Sequence, residues 1–391
     1  MISFEEALNT VFSHANTLGS ERIPFLESTG RILAEDIFSD LDMPPFDKSA
    51  VDGFACRMDD ILSASLRVLE TIPAGKIPGF AIKPGHCSKI MTGAMIPKGA
   101  DGVIMVEDTE TAGDQRVRFT RTHTSRNICY RAENIRNGER ILEKGILINP
   151  AHIAVLASVG AVNPLVSRQP RVGLFSTGDE LVEPEVIPGK AQIRNSNASQ
   201  LMAQLKRVPA IPSYLGIAAD EGMSLRAFLD KGFEENDGVL VTGGVSMGDF
   251  DFVPAILQEA GVEILFKSIA IQPGRPTVFG IKGNKFVFGL PGNPVSSFVL
   301  FEVMVKPFLL RMMGSEHDTP VISLKMGAGY SRRTSSRKSM IPVTITGNEA
   351  FPVEYHGSAH INAYTSANGI LIIEPGISGF KKGEEVDVRP I

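Results

Sequence analysis

Val239-Leu240-Val241-Thr242-Gly243-Gly244-Val245-Ser246-Met247-Gly248-Asp249-Phe250-Asp251 is the stretch that decides the fold. Its opening run of aliphatic residues, without polar alternation, predicts a strand buried on both faces, as in a parallel sheet. The run breaks into paired glycines and hydroxyls, then into two carboxylates ahead of an apolar-periodic segment. In open parallel sheets ligands sit beyond the carboxyl ends of the strands, and adjacent glycines let backbone N–H groups approach an anion without Cβ obstruction. Asp251 stands where an N-cap belongs, before Phe252, Val253, Ile256 and Leu257, with Gly261 as the stop. Alone, the same residues also describe an ordinary capped strand-to-helix turn, so the surrounding chain has to decide.

Outward from this segment, between Arg171 and Gly314, strands and helices alternate. Strands are predicted over 172–176, 214–217, 239–241, 262–266 and 285–288, and helices over 197–207, 223–233, from Phe252, and over 294–313. Such alternation predicts a parallel sheet covered on both faces. Before it, Ser3-Phe4-Glu5-Glu6 is a capping-box pattern opening an amphipathic helix through Ala7, Leu8, Val11 and Phe12. A second helical piece is read over 31–37, ending before Met43-Pro44-Pro45. From there to about Asn137 short apolar runs broken by Pro-Gly and Asp-Gly turns predict a β-rich insert. Asn149-Pro150 then starts a short helix to Gly160, expected beside the first one. The tail returns to strands with a Gly347-Asn348 turn, predicting a small barrel or sandwich. The fold class is therefore multidomain α/β plus β. The expected division is a discontinuous helical domain (1–43 and 141–170), the insert (44–140), a three-layer α/β domain (171–315) and a C-terminal β domain (316–391).

The 391 residues are 43% hydrophobic and 21% charged, and the net charge of -5 provides no basic field for nucleic acid or anionic lipid. No run approaches the roughly 18 apolar residues that span a bilayer, and the amino terminus lacks a secretory pattern. The expected location is cytoplasmic, with neither nucleic acid nor membrane as partner. Cys56, Cys87 and Cys129 lie far apart without metal-ligand spacing, and are read as small reduced hydrophobes.

Four loops of the α/β segment share one grammar, a strand end followed by Gly, Pro, a hydroxyl and an acid or amide. They are Ser176-Thr177-Gly178-Asp179-Glu180-Leu181, Ile193-Arg194-Asn195-Ser196-Asn197, the opening segment, and Gly289-Leu290-Pro291-Gly292-Asn293-Pro294-Val295-Ser296. Gathered at one sheet edge, they build a pocket rich in N–H donors and carboxylates. Helix starts at Asn197 and Asn293 add partial positive charge suited to phosphate. Glu180, Asp249 and Asp251 are of the type that holds Mg²⁺ against phosphate oxygens. Neither common nucleotide fingerprint is present, and Ser246 and Ser296 lack a neighbouring histidine or a G-x-S-x-G elbow. Pro44-Pro45-Phe46-Asp47-Lys48-Ser49-Ala50-Val51-Asp52-Gly53-Phe54-Ala55 is the other unusual stretch, stiffened by two prolines and carrying two acids. Met91-Thr92-Gly93-Ala94 and Arg126, Arg131, Arg136 and Arg140 lie in the same insert; the arginines could bind an anionic ligand, but scattered arginines are more often solvated surface.

PPFDKSAVDGFA, MTGA, TGDEL, IRNSN, TGGVSMGDFDF, QPGRP and GLPGNPVSS, in this order over the whole chain, resemble the molybdopterin molybdenumtransferase family (MoeA; the E domain of gephyrin). The resemblance implies an elongated four-domain homodimer, MoeA-like in fold, with a molybdopterin-binding α/β domain and a C-terminal β-barrel, in which the insert of one subunit faces the α/β domain of the other. It also implies a Mg²⁺-assisted reaction that cleaves adenylated molybdopterin and inserts molybdate to give molybdenum cofactor, with transient contact to the molybdopterin adenylyltransferase. Carried onto this chain, the catalytic set is Asp52, Glu180, Asp220 and Asp251, and the metal-side acids are Asp52, Glu180, Asp249 and Asp251. The ligand-binding set is Thr92, Arg136, Thr177, Gly178, Asn195, Ser196, Asn197, Thr242, Gly243, Gly244, Ser246, Pro273, Gly274, Arg275, Pro291, Gly292 and Asn293.

Departures from that pattern stand at Arg140, where an Asp is usual, and at Ser268 and Gln272, where lysines are usual. Lys267 and Arg275 retain positive charge nearby. Fewer cations weaken the attraction expected for molybdate. Two rival readings follow, a binding scaffold that keeps the fold, and the adenylyltransferase that shares the α/β domain.

Overall fold

The computed structural model describes residues 1–245, 252–316 and 320–391. The chain forms two compact units: Met1–Glu35, Lys144–Pro150 and Asn163–Ile391 make the first, Asp36–Glu143 and Ala151–Val162 the second. Helix α1 (Phe4–Ser13) has the capping box its sequence predicts. Ser3 Oγ accepts from the Glu6 amide at 3.1 Å, and the Glu6 carboxylate accepts from the Ser3 amide at 2.7 Å. The segment read as a helix over 31–37 is extended instead. Ile32 bridges Leu147, Leu33 bridges Val166, and the strand Ile37–Phe38 pairs with Arg140–Leu142. Ile32 and Leu33 are adjacent and both buried, which suits extended chain covered on two sides, and two turns of isolated helix do not hold themselves together.

In the second unit β1 (Gly53–Cys56), β2 (Leu66–Ile72), β3 (His86–Ile90), β4 (Gly102–Met105), β5 (Thr109–Thr111) and β6 (Arg116–Phe119) form one sheet in the order β4-β1-β3-β2-β6-β5. Only β2 and β3 pair in parallel. Alternate residues feed two cores: Phe54, Cys56 and Cys87 on one face, Ala55, Ile90 and Val103 on the other. Burial pushes the thiols of Cys56 and Cys87 up to about 12, so both act as small hydrophobes. Helix α2 (Pro150–Ser158) starts at the predicted proline. Apart from Pro150 it belongs to the second unit, whereas α1 belongs to the first.

In the first unit β7 (Arg171–Thr177), β8 (Ile211–Ala218), β9 (Gly238–Thr242), β10 (Glu263–Phe266), β11 (Val278–Lys282) and β12 (Lys285–Leu290) form a sheet in the order β8-β7-β9-β12-β11-β10. The sheet is mixed rather than all parallel, because β11 runs against its neighbours. That strand escaped the sequence reading, although Gly283-Asn284 between paired Lys282 and Lys285 is a two-residue hairpin signal. Helices α3 (Ser196–Lys206), α4 (Gly222–Glu235), α5 (Val253–Glu259), α6 (Pro294–Leu300) and α7 (Lys306–Met312) cover both faces. The single helix expected over 294–313 is interrupted by a π-helical turn at Phe301–Val305. Pro307 has no amide to give and its ring excludes a regular turn before it. Phe4, Ala7 and Val11 of α1 share a core with Phe279, Phe288 and Phe308 of this domain.

The C-terminal strands β13 (Ile322–Met326), β14 (Lys338–Thr346), β15 (Glu349–Pro352), β16 (Gly369–Ile373) and β17 (Glu385–Pro390) close on themselves in the order β14-β15-β13-β17-β16, because β14 also pairs with β16. The alternative of a barrel or a sandwich resolves as a closed five-stranded barrel around Leu324, Ile341, Val343, Leu371 and Val388.

Candidate functional site

The carboxyl ends of β7, β9 and β12 and the amino ends of α3 and α6 surround a cavity of about 670 Å³. Its lining includes Thr177, Gly178, Glu180, Asn195, Ser196, Asn197, Asp220, Thr242, Gly243, Gly244, Pro291, Gly292 and Asn293. Four loops distant in sequence thus meet at one sheet edge, as their shared grammar predicts.

The floor is main chain held at close quarters. Gly243 has φ +99, and a Cβ there would lie 2.3 Å from the carbonyl oxygen of Thr177. Gly244 has φ +62, and its Cβ would meet Val253 at 2.9 Å. Both positions therefore need glycine for conformation and for space. The Gly243 amide donates to the Leu290 carbonyl at 3.1 Å, so this glycine ties two strand ends and does not offer its N–H to a ligand. Among the described residues the amides of Gly178, Gly244 and Gly292 have no acceptor, which leaves donors of the kind that bind oxyanions.

Side-chain amides brace this floor. The helix predicted to start at Asn197 begins earlier: Asn195 is the N-cap of α3, and its Oδ1 accepts from the Ala198 amide at 3.2 Å. Either asparagine fits the pattern by type, and only the backbone geometry separates them. Asn197 is nearly buried and joins two strand ends, donating to Thr242 Oγ1 at 3.0 Å and to the Gly292 carbonyl at 2.7 Å. Thr242 Oγ1 in turn donates to the Pro291 carbonyl at 3.2 Å. Asn293 holds the N-cap position of α6 without a side-chain cap hydrogen bond.

The acids divide between the units. Thr177 Oγ1 donates to the Asp220 carboxylate, whose residue's amide donates to Asp179 Oδ1 at 3.1 Å. The exposed Glu180 carboxylate lines the cavity without a hydrogen-bond partner among the described residues. In the second unit Asp52 Oδ1 accepts from the Thr92 amide at 2.6 Å and from Thr92 Oγ1 at 2.8 Å. Those two donors hold its carboxyl below the usual aspartate range. Arg136 is exposed there and its amide donates to Glu139 at 3.0 Å. Arg140 pairs with Glu143 at 2.5 Å and with Asp36 at 3.4 Å.

Other expected site residues lie away from the main cavity. Pro273 and Gln272 line a second one of about 290 Å³ with Tyr330, Arg332, Arg333 and Tyr355 of the barrel domain. Gly274 packs on Leu300, and the Arg275 carbonyl accepts from the Ile269 amide at 3.0 Å. The Ser268 carbonyl accepts from the Ile2 amide at 3.3 Å. Ser246, Asp249 and Asp251 fall outside the described residues. Among the described residues no group of three acids, histidines or cysteines is arranged to hold a metal by itself. Mg²⁺ takes one or two carboxylates and completes its shell with phosphate oxygens and water, and Glu180 and Asp220 supply that much.

Two groups escaped the sequence reading. Ser176 Oγ donates to Asn195 Oδ1 at 3.0 Å, Asn195 Nδ2 donates to the Tyr214 hydroxyl at 3.1 Å, and that hydroxyl donates to Glu183 at 2.8 Å. Tyr214 reads in sequence as an ordinary strand former, and Glu183 as loop surface. Burial, followed by the Glu183 carboxylate, pushes the Tyr214 pKa well above the ordinary phenol value.

A three-layer α/β domain with strand-end glycines, orphan amides and acids around one cavity belongs to the molybdopterin-binding class: residues 173–311 match the family described as "Probable molybdopterin binding domain". Residues 2–160 match the MoeA N-terminal region and residues 330–391 the MoeA C-terminal region. The chain belongs to the MoeA family. It is 35% identical to the molybdopterin molybdenumtransferase of Staphylococcus epidermidis, covering 99% of this chain and 95% of that protein. The Staphylococcus aureus enzyme of the same name is 32% identical with the same coverage. A crystal structure of the molybdopterin biosynthesis MoeA protein from Pyrococcus horikoshii superposes with a TM-score of 0.86 at 30% identity, covering all of both chains. No helix among the described residues is long and apolar enough to cross a membrane.

Proposed function

We propose that this chain is a molybdopterin molybdenumtransferase, which releases AMP from adenylated molybdopterin and inserts molybdate to give molybdenum cofactor. The observation that carries the reading is the cavity at the ends of β7, β9 and β12, in a chain that matches such enzymes end to end. Orphan amides at Gly178, Gly244 and Gly292 suit the phosphate of the substrate, and the α3 N-terminus adds partial positive charge. Asn197 and Thr242 keep those amides in register by tying the β9 and β12 ends together. Preorganised donors of this kind accept charge developing at the phosphoanhydride without reorganising.

Glu180, with Asp220 also in the cavity lining, would hold Mg²⁺, and Asp52, Asp249 and Asp251 are assigned to the same metal side by the family motif. When bound, the ion neutralises phosphoanhydride charge. Asp52 is assigned to the same reaction, its charged form maintained by Thr92. A homodimer, in which the insert of one copy completes the cavity of the other, is part of this reading.

The test is incubation of purified protein with adenylated molybdopterin, Mg²⁺ and molybdate, following AMP by chromatography. Molybdate-dependent AMP release is expected. Tight binding of the substrate with no AMP even at high molybdate would replace the enzyme by a scaffold, and net adenylylation of molybdopterin by ATP would replace it by the adenylyltransferase.

A further inference from the structure

The chain of hydrogen bonds from Ser176 through Asn195 and Tyr214 to Glu183 has a fixed polarity. A carboxylate only accepts, so the Tyr214 proton points at Glu183 and the tyrosine oxygen presents a lone pair to Asn195. Asn195 must then turn its NH₂ toward Tyr214 and its carbonyl oxygen toward Ser176 and the Ala198 amide. That orientation alone caps α3, since the reversed amide offers a donor where Ala198 also donates. Glu183 belongs to the loop that runs from Glu180 to Arg194, where Leu181–Val182 pairs with Ile193–Arg194 along the cavity wall. The Tyr214 hydroxyl thus joins the wall of the cavity to the cap of the helix that points into it.

We propose that Glu183 and Tyr214 are positioning residues: Glu183 sets the direction of the relay and Tyr214 passes it to Asn195, fixing the donor face at the start of α3. The consequence for the substrate rests on the reading that this cavity holds adenylated molybdopterin. Neither residue is in the lining of the cavity, so their loss acts on binding rather than on the chemical step. Glu183→Gln keeps size but can donate, which frees the relay to reverse; Tyr214→Phe keeps the ring and deletes the link.

Two measurements on the full-length protein test this. The first is exchange of the Ala198 amide proton, read by NMR without any ligand. Both variants should exchange about fivefold faster, the scale of a lost helix cap, and the double variant should be no faster than either single one. Unchanged exchange, or additive effects in the double variant, overturns the relay whatever occupies the cavity. The second is the dissociation constant and turnover with adenylated molybdopterin. The expected result is KM and Kd raised about fivefold with kcat within about twofold, scaled from the same cap loss. A fall in kcat at unchanged KM, or wild-type Kd alongside fast exchange, overturns the role at the substrate. If wild-type protein fails to bind adenylated molybdopterin, the functional reading falls while the exchange result still decides the relay.

Discussion

Gly243→Ala is the sharpest probe of the cavity floor. The backbone there has φ +99, and the added methyl would stand 2.3 Å from the carbonyl oxygen of Thr177. Left-handed strain costs a non-glycine residue about 1–2 kcal/mol, and forcing a methyl into a packed site adds about 1–3 kcal/mol. The obstacle is main chain rather than the end of a flexible side chain, so relief requires the β7 and β9 ends to part. The expected loss is about 2–5 kcal/mol, or a urea midpoint lower by about 0.5 M or more. The chain contains no tryptophan, so far-UV circular dichroism is the suitable probe. Two controls separate the terms. Gly261→Ala shares a positive φ of +80 with open space around it, and should lose only about 1 kcal/mol from strain. At Gly292 the nearest atom to a new Cβ is the Gly243 Cα at 3.6 Å, ordinary contact. Gly292→Ala should therefore unfold like wild type and weaken only ligand binding. A Gly243→Ala midpoint within about 0.3 M of wild type, or one no lower than that of Gly261→Ala, would refute the close approach of strand ends on which the site description rests.

Thr92→Val removes one of two donors to Asp52 and should let its depressed pKa climb back toward the ordinary value. The charged form is present above that pKa and lost as pH falls through it, so the acid limb of the pH–activity profile should move to higher pH; an unmoved limb would separate Asp52 from the reaction. Asp52→Ala and Glu180→Ala should each abolish AMP release in a folded protein, and mixing the two should restore part of the activity if the insert of one copy serves the cavity of another. Gln272→Lys with Ser268→Lys should lower the molybdate concentration needed for half-maximal AMP release, and an unchanged requirement would place molybdate elsewhere. Lys338, half-buried between Glu5 and Glu374, ties α1 to the barrel domain, so Lys338→Met should cost about 1 kcal/mol in urea unfolding, and less in high salt.

Much of this architecture was legible from local pattern. The unbroken aliphatic run at Val239–Val241 announced a buried strand, the Ser3/Glu6 box announced α1, and recurring Gly-Pro-hydroxyl-acid loops announced the cavity. What failed was decided by partners remote in sequence. The extended stretch at Ile32 and Leu33 is set by Leu147 and Val166, and no local propensity encodes them. The break before Pro307 is a local signal that the apolar periodicity around it concealed. Choosing Asn195 over Asn197 as the cap depended on Ser176 and Tyr214, each 19 residues away. The antiparallel β11 carried a hairpin signal in Gly283-Asn284, overlooked because the surrounding alternation favoured crossovers.

The cavity floor at Gly178, Gly244 and Gly292 has a bearing on how such a site is mapped and how it drifts. Alanine scanning deletes side chains, and here the groups offered to a ligand are peptide nitrogens that every substitution except proline retains. A scan would credit the bracing residues Asn197 and Thr242 with binding and record Gly178 and Gly244 as folding defects, leaving Gly292 alone to report on the grip. The same property leaves the grip intact when neighbouring side chains change, so long as the bracing that ties the strand ends together is kept.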